Sequence, residues 1–163
     1  MRTTTTLGAL LAVTLLGCGN PQTRPAEPAS APSARPSASS NMLSGIPIGE
    51  IAGTYTGDWG TMHLVFVTPT EVRGAYSHES GRLVGVVDGD VIRGTWCQDQ
   101  AAAGRSTTGA VEFRFTKNAD IVSLDGRWTY ADAPGEWMED WDINHTAAED
   151  AALAERAPTA TCP

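Results

Sequence analysis

Two indoles and a carboxylate alternate in the segment Trp137-Met138-Glu139-Asp140-Trp141. On a strand, alternate side chains share a face, so this spacing places Glu139 between two large apolar rings on an inward face. A buried, unpaired carboxylate is costly. Either Glu139 works with His78 to orient a ligand among Tyr55, Tyr76, Trp96 and Trp128, or it sits at a wet rim or pairs with an arginine. The second reading asks less of the chain and is the preferred one. Glu136, Asp140 and Asp142, with His145 nearby, carry oxygens that could hold a hard cation. Calcium takes about six to eight oxygens, usually from a tight loop, whereas these residues lie along a strand face. They are expected to form a solvated or docking face, and no metal or cofactor is expected.

Other reactive patterns are missing. There is no glycine-rich phosphate loop, His-Glu-x-x-His, Cys-x-x-Cys or Gly-x-Ser-x-Gly. His63, His78 and His145 are scattered, with no spacing that points to a nucleophile–histidine–carboxylate set. A non-catalytic chain is expected. With 11 Lys and Arg against 19 Asp and Glu, the formal charge is −8. Phosphate recognition needs cationic side chains, so nucleic acid is disfavoured. A basic partner protein fits the charge better, above all at the acidic stretch from Asp132 to Glu155.

The three cysteines, Cys18, Cys97 and Cys162, divide by position. Met1 and Arg2 precede an uncharged apolar run, Leu7–Leu16. A bilayer of roughly 30 Å needs about 20 apolar residues, so this run is too short to span and has the length of a signal-peptide core. It ends in Leu15-Leu16-Gly17-Cys18, which resembles the bacterial lipobox. That resemblance implies removal of residues 1–17, lipidation of Cys18 and attachment to a membrane of the cell envelope through the N-terminal lipid. Gly19, where an aspartate would signal retention in the inner membrane, leans the expectation toward the outer membrane. Export implies an oxidising compartment. Cys97 and Cys162 then remain as an even pair, expected to form one disulfide, with free thiols or an intermolecular bridge as alternatives.

The elements that must position these residues follow from composition and period. Residues 18–45, rich in Pro, Ala and Ser, bury too little to offset their ordering entropy and read as a disordered tether. Residues 46–145 form the domain, and 146–163 a helix and tail. A unit of apolar residue, x, Gly, x, aromatic recurs at Ile51–Tyr55, Val72–Tyr76, Ile92–Trp96 and Leu124–Trp128. Apolar, glycine and aromatic residues share one face, and Arg73, Arg93, Asp125 and Arg127 fall on the other, as in a half-buried antiparallel strand. Inward glycines permit strong coiling, and neighbouring aromatics cover the gaps they leave.

About eight strands are predicted, near residues 50–57, 60–68, 70–78, 81–88, 90–98, 107–116, 121–131 and 136–144. Asp58-Trp59-Gly60 and Asp88-Gly89 are hairpin signals. Eight coiled strands in an all-β antiparallel up-and-down meander close most simply into a small barrel, which removes open edges. Thr146-Ala147-Ala148-Glu149 has the spacing of a helix capping box, with Pro158 as the stop. Cys97, opposite in sense to Trp96, falls on the outer face within reach of a tail that runs over the barrel.

With Gly53-Thr54-Tyr55 in the first strand and the repeated glycine-x-aromatic units, the domain resembles avidin and lipocalin barrels. The resemblance implies a small barrel able to hold one ligand and transfers no site residue. Large aromatics tend to fill so small a barrel. The chain therefore reads first as a membrane-anchored protein-binding or structural module of the envelope. The alternative is a carrier of a small hydrophobic ligand.

Overall fold

The alternation of apolar and polar residues becomes eight strands wound into a closed barrel. The structure is a computed structural model that describes residues 42–43 and 45–163. The segment expected to be a signal peptide, Cys18 and most of the expected tether lie outside the described residues.

The described chain starts with a short ribbon of β1 (Met42–Leu43) paired to β2 (Ile46–Pro47), then a single helical turn, α1 (Ile48–Ile51). Ordered structure thus starts inside the segment expected to be tether. The barrel consists of β3 (Gly53–Gly57), β4 (Gly60–Phe66), β5 (Glu71–Tyr76), β6 (Arg82–Asp88), β7 (Val91–Cys97), β8 (Thr108–Asn118), β9 (Ile121–Tyr130) and β10 (Ile143–Thr146). Each strand pairs antiparallel with the next, and β10 closes the ring against β3. The first predicted strand is shorter than expected because α1 occupies its start.

Leu64, Leu83, Ile92, Phe113 and Leu124 point inward and are fully buried. Arg73, Arg93, Glu112, Arg114 and Arg127 stand outside and pair with neighbouring charges. A lipid-facing barrel would instead carry an apolar band there. The inward glycines allow the tight coil. Gly85 faces Gly94 across β6 and β7, and a Cβ on Gly94 would come within 2.7 Å of the Gly85 Cα. On Gly126 it would collide with the Phe113 ring, which covers the gap.

Antiparallel strands put alternate connections at opposite ends. One end, which holds the β4–β5, β6–β7 and β8–β9 turns, is closed by the N-terminal segment. Ile46 and Ile51 join the core cluster. The Tyr55 hydroxyl donates to the Ile51 carbonyl at 2.6 Å, and Glu50 pairs with Lys117 beside the β8–β9 turn. This floor was not expected from the sequence.

The strand predicted over 136–144 is a correction. Met138 forms an isolated antiparallel bridge with Trp128, and Ile143 pairs with Leu124. Four residue steps along β9 therefore oppose five along its partner, so one extra residue is accommodated as a bulge. A one-residue slip turns side chains to the other face. Trp141 and Ile143 stay inward, Met138 packs against the core, and Glu139 is exposed.

The tail runs over the outside of the barrel. Its helix, α2 (Ala151–Arg156), is capped by Asp150, whose carboxylate accepts the Leu153 N–H at 3.1 Å. Thr146 was expected to cap it but still pairs with Thr54 as part of β10. Leu153 and Ala157 bury against Ala75 and Val65 on the outer face of β4 and β5. The disulfide Cys97–Cys162 fixes the chain end to β7, with Cα atoms 5.7 Å apart.

Candidate functional site

The end of the barrel opposite the floor is lined with aromatic rings. Topology gathers them there: the β3–β4, β5–β6, β7–β8 and β9–β10 connections all lie at this end. Trp59 sits in the two-residue turn between Gly57 and Gly60, where Gly60 takes φ +86°. Trp96 comes from the last inward position of β7, and Trp128 and Tyr130 from the last two of β9. Trp141 enters from the connection to β10, just past the bulge.

The rings pack edge to face, with the Trp59–Trp141 pair tilted. Centroid separations are 5.3 Å for Trp59–Trp128, 5.5 Å for Trp96–Trp128, 4.9 Å for Trp128–Tyr130 and 6.2 Å for Trp59–Trp141. Behind them, Tyr76 and Phe113 support Trp141 at 5.1 and 5.2 Å. Such pairs prefer perpendicular arrangements because ring edges are positive and faces negative. Perpendicular walls cannot fill space as flat stacks do, and a cleft of about 320 Å³ remains between them. That lies at the lower end of the roughly 300–1,000 Å³ usual for small-molecule sites.

The polar groups at the cleft come from two loops. His78 and Glu79 belong to the β5–β6 connection, and Gln98 and Gln100 to the start of the β7–β8 connection. His78 stacks edge-on against Trp59 at 5.0 Å. Glu79 and Ser80 are consecutive non-glycine residues in the left-handed region, at φ +47° and +54°. Each such residue costs on the order of 1–3 kcal/mol and persists only where its surroundings enforce it. Here the Glu79 carbonyl accepts the Asp99 N–H at 3.0 Å, and the Ser80 carbonyl accepts from Arg156 at 2.9 Å. The loop is thus pinned by the neighbouring loop on one side and by the tail helix on the other.

Most indole N–H groups are committed inside the protein. Trp96 donates to the Thr129 carbonyl at 3.1 Å, Trp128 to the Asp140 carboxylate at 2.7 Å and Trp59 to the Asp140 carbonyl at 3.0 Å. Asp140 therefore holds two walls of the cleft in place. Asp142 accepts the Gly126 N–H at 3.1 Å. These two acids, read from the sequence as candidate cation ligands, have structural partners instead. Among the described residues no group of three His, Cys, Asp or Glu side chains is arranged to hold a metal.

Of the six expected ligand-contacting residues, His78, Trp96 and Trp128 meet at the cleft. Tyr76 lies behind it, buried, and burial pushes its phenol well above the usual range. Tyr55 is committed to the floor, and burial raises its phenol likewise. Glu139 lies outside the barrel in a polar groove with Arg93, Arg114 and Arg127; the bulge removes it from the inward face assigned by simple alternation. Trp137 is outside too, its ring 4.6 Å under the Arg127 guanidinium. Trp59, Glu79, Gln98 and Tyr130 were not expected at the site.

On the same outer face Arg93, Glu112 and Arg127 are register partners on β7, β8 and β9. Glu112 accepts from Arg127 at 2.6 Å and from Arg93 at 3.2 Å. The hydrogen bond from Arg127 chiefly, with the charges of both arginines, holds its carboxyl below the ordinary range against a partial desolvation.

No protein-family model, no curated protein and no solved structure matches this chain.

Proposed function

We propose that this protein binds a small molecule in the aromatic cleft at the open end of its barrel. In the same proposal it works in the cell envelope, held by a lipid on Cys18. The observation that carries the binding reading is the cleft itself: four indoles and Tyr130 leave about 320 Å³ open, beside a loop held in a strained backbone conformation. Buried aromatic walls with a few convergent polar groups are the usual make-up of a ligand site, and stored backbone strain concentrates at such sites. The reading is binding without catalysis.

Docking of a basic partner protein through a broad acidic face has less to rest on. Glu71, Asp88, Asp90, Asp99 and Glu112 each pair with an arginine on the barrel surface, and within Asp132–Glu155 Asp132 faces Arg105 while Asp140, Asp142 and Asp150 accept hydrogen bonds within the fold. Their charge is largely neutralised locally, and a sign-uniform surface is what electrostatic steering needs.

The test is fluorescence titration with N-phenyl-1-naphthylamine, a neutral apolar probe, read through probe emission and indole quenching. Binding is expected, and Ala102→Trp, an exposed substitution at the rim that fills the cleft, should weaken it at least about tenfold, on the order of 1.4 kcal/mol. A probe that does not bind, or binds the filled variant equally well, would overturn the cleft as the site.

A further inference from the structure

We propose that the cleft selects a small organic cation, a quaternary or methylated ammonium group, seated against the faces of Trp59, Trp128 and Trp141 with Glu79 as its counter-charge. The inference rests on the cleft being a binding site and names the class of ligand it takes.

Three observations carry it. First, the walls offer π-faces and few donors. The N–H groups of Trp59, Trp96 and Trp128 are spent on Asp140 and Thr129, so they cannot serve the acceptor oxygens of an anion. Donation of an indole N–H to a carboxylate, as in Trp128 to Asp140 at 2.7 Å, also enriches the ring face that would meet a cation. An aromatic face within about 6 Å attracts a cation through its quadrupole, most strongly for tryptophan and most when desolvated. Trp59, Trp128 and Trp141 all line the cleft, so one ligand can touch several rings.

Second, the charge of the lining is of one sign. Its single formally charged side chain is Glu79, with no Lys or Arg. None of the ion pairs among the described residues uses Glu79. The carboxylate is thus left for something else, on a backbone that is strained where it is carried. The formal charge of −8 favours the approach of cations over anions.

Third, the chain already shows this preference at the edge of the aromatic cluster. The Arg105 guanidinium lies over the Tyr130 ring, 4.0 Å from its centroid. An ammonium carrying methyl groups needs neither a hydrogen-bond acceptor nor a donor at every position, which matches a site of this composition. Inorganic cations would find too few oxygens.

Choline and 3,3-dimethylbutan-1-ol test the idea, because they differ in having a charged nitrogen or a neutral carbon at the same centre. Titration calorimetry on the purified protein should give choline at least about tenfold tighter binding than the alcohol. Glu79→Gln, at an exposed position, should erase about three- to tenfold of that preference, and Glu139→Gln on the outer face should leave it unchanged. Equal or tighter binding of the alcohol would overturn the cation assignment while the naphthylamine result keeps the site. Failure of the naphthylamine as well would remove the site and this inference together. Retention of the protein on phosphatidylcholine vesicles and not on phosphatidylglycerol vesicles would assign the cation to a lipid headgroup. Choline binding without vesicle retention would assign it to a free solute.

Discussion

Glu112 shows how much one side chain's surroundings decide. Its carboxylate stands between Arg93 and Arg127 on three consecutive strands, and its folded-state pKa is depressed, chiefly by the bond from Arg127. A depressed carboxyl contributes stability that is present above its unfolded-state pKa and lost as pH falls through the lower folded value. The difference in urea midpoint between the wild type and Glu112→Gln should therefore be largest near neutrality. It should shrink below the ordinary glutamate range. A difference that stays constant down to that acidity would show that the ion pairs contribute nothing through charge. Glu139 lies outside because of a single extra residue in the chain opposite β9.

That bulge also explains what could be read from the sequence at the level of elements. Seven of the strands were legible because inward residues at Ile51–Tyr55, Val72–Tyr76, Ile92–Trp96 and Leu124–Trp128 keep period two, and turn residues such as Asp88-Gly89 mark the ends. The eighth was misplaced because Trp137, Glu139 and Trp141 also keep period two, whereas the backbone does not. The floor was hidden for a different reason. Ile48–Ile51 makes one helical turn, too short to show a helical period, and its order comes from packing against the barrel. Half of the expected ligand residues reached the cleft. Tyr130 apart, which ends β9, the missed ones stand on connections: Trp59 in a hairpin turn, Gln98 just past β7, and Glu79 in a left-handed conformation that no local pattern announces.

The disulfide acts at this same scale. Cys97 and Cys162 are 65 residues apart in sequence, and a loop of that length corresponds to about 4 kcal/mol of lost chain entropy in the unfolded state. The Cys97→Ala/Cys162→Ala variant is expected to lose about 2–4 kcal/mol in urea unfolding. Unchanged stability would mean that α2 and its contacts with β4 and β5 hold the tail without the bond.

At the scale of the whole molecule, the barrel has two unlike ends. One is closed by the N-terminal segment through Ile46, Ile51 and the Glu50–Lys117 pair; the other opens into the aromatic cleft. Closure of the sheet leaves no unpaired strand edge between β10 and β3, so the domain is guarded against edge-to-edge association. The proposed attachment belongs to the same scale. Cells fed labelled palmitate should incorporate it into the wild-type protein and not into Cys18→Ala. An unlabelled wild type would remove the anchor and, with it, the envelope membrane as the place of action.

Edge-to-face contact among Trp59, Trp96 and Trp128 has an optical consequence. Indoles held 5.3 and 5.5 Å apart in fixed, nearly crossed orientations share their electronic excitations. Coupled chromophores of that kind give a paired positive and negative band in circular dichroism, which uncoupled tryptophans do not. The protein therefore carries its own gauge of the geometry at the open end, readable without a label. Anything that turns one ring, whether a ligand, a substitution or a loosened tail, will alter that paired band even where the strand signal stays the same.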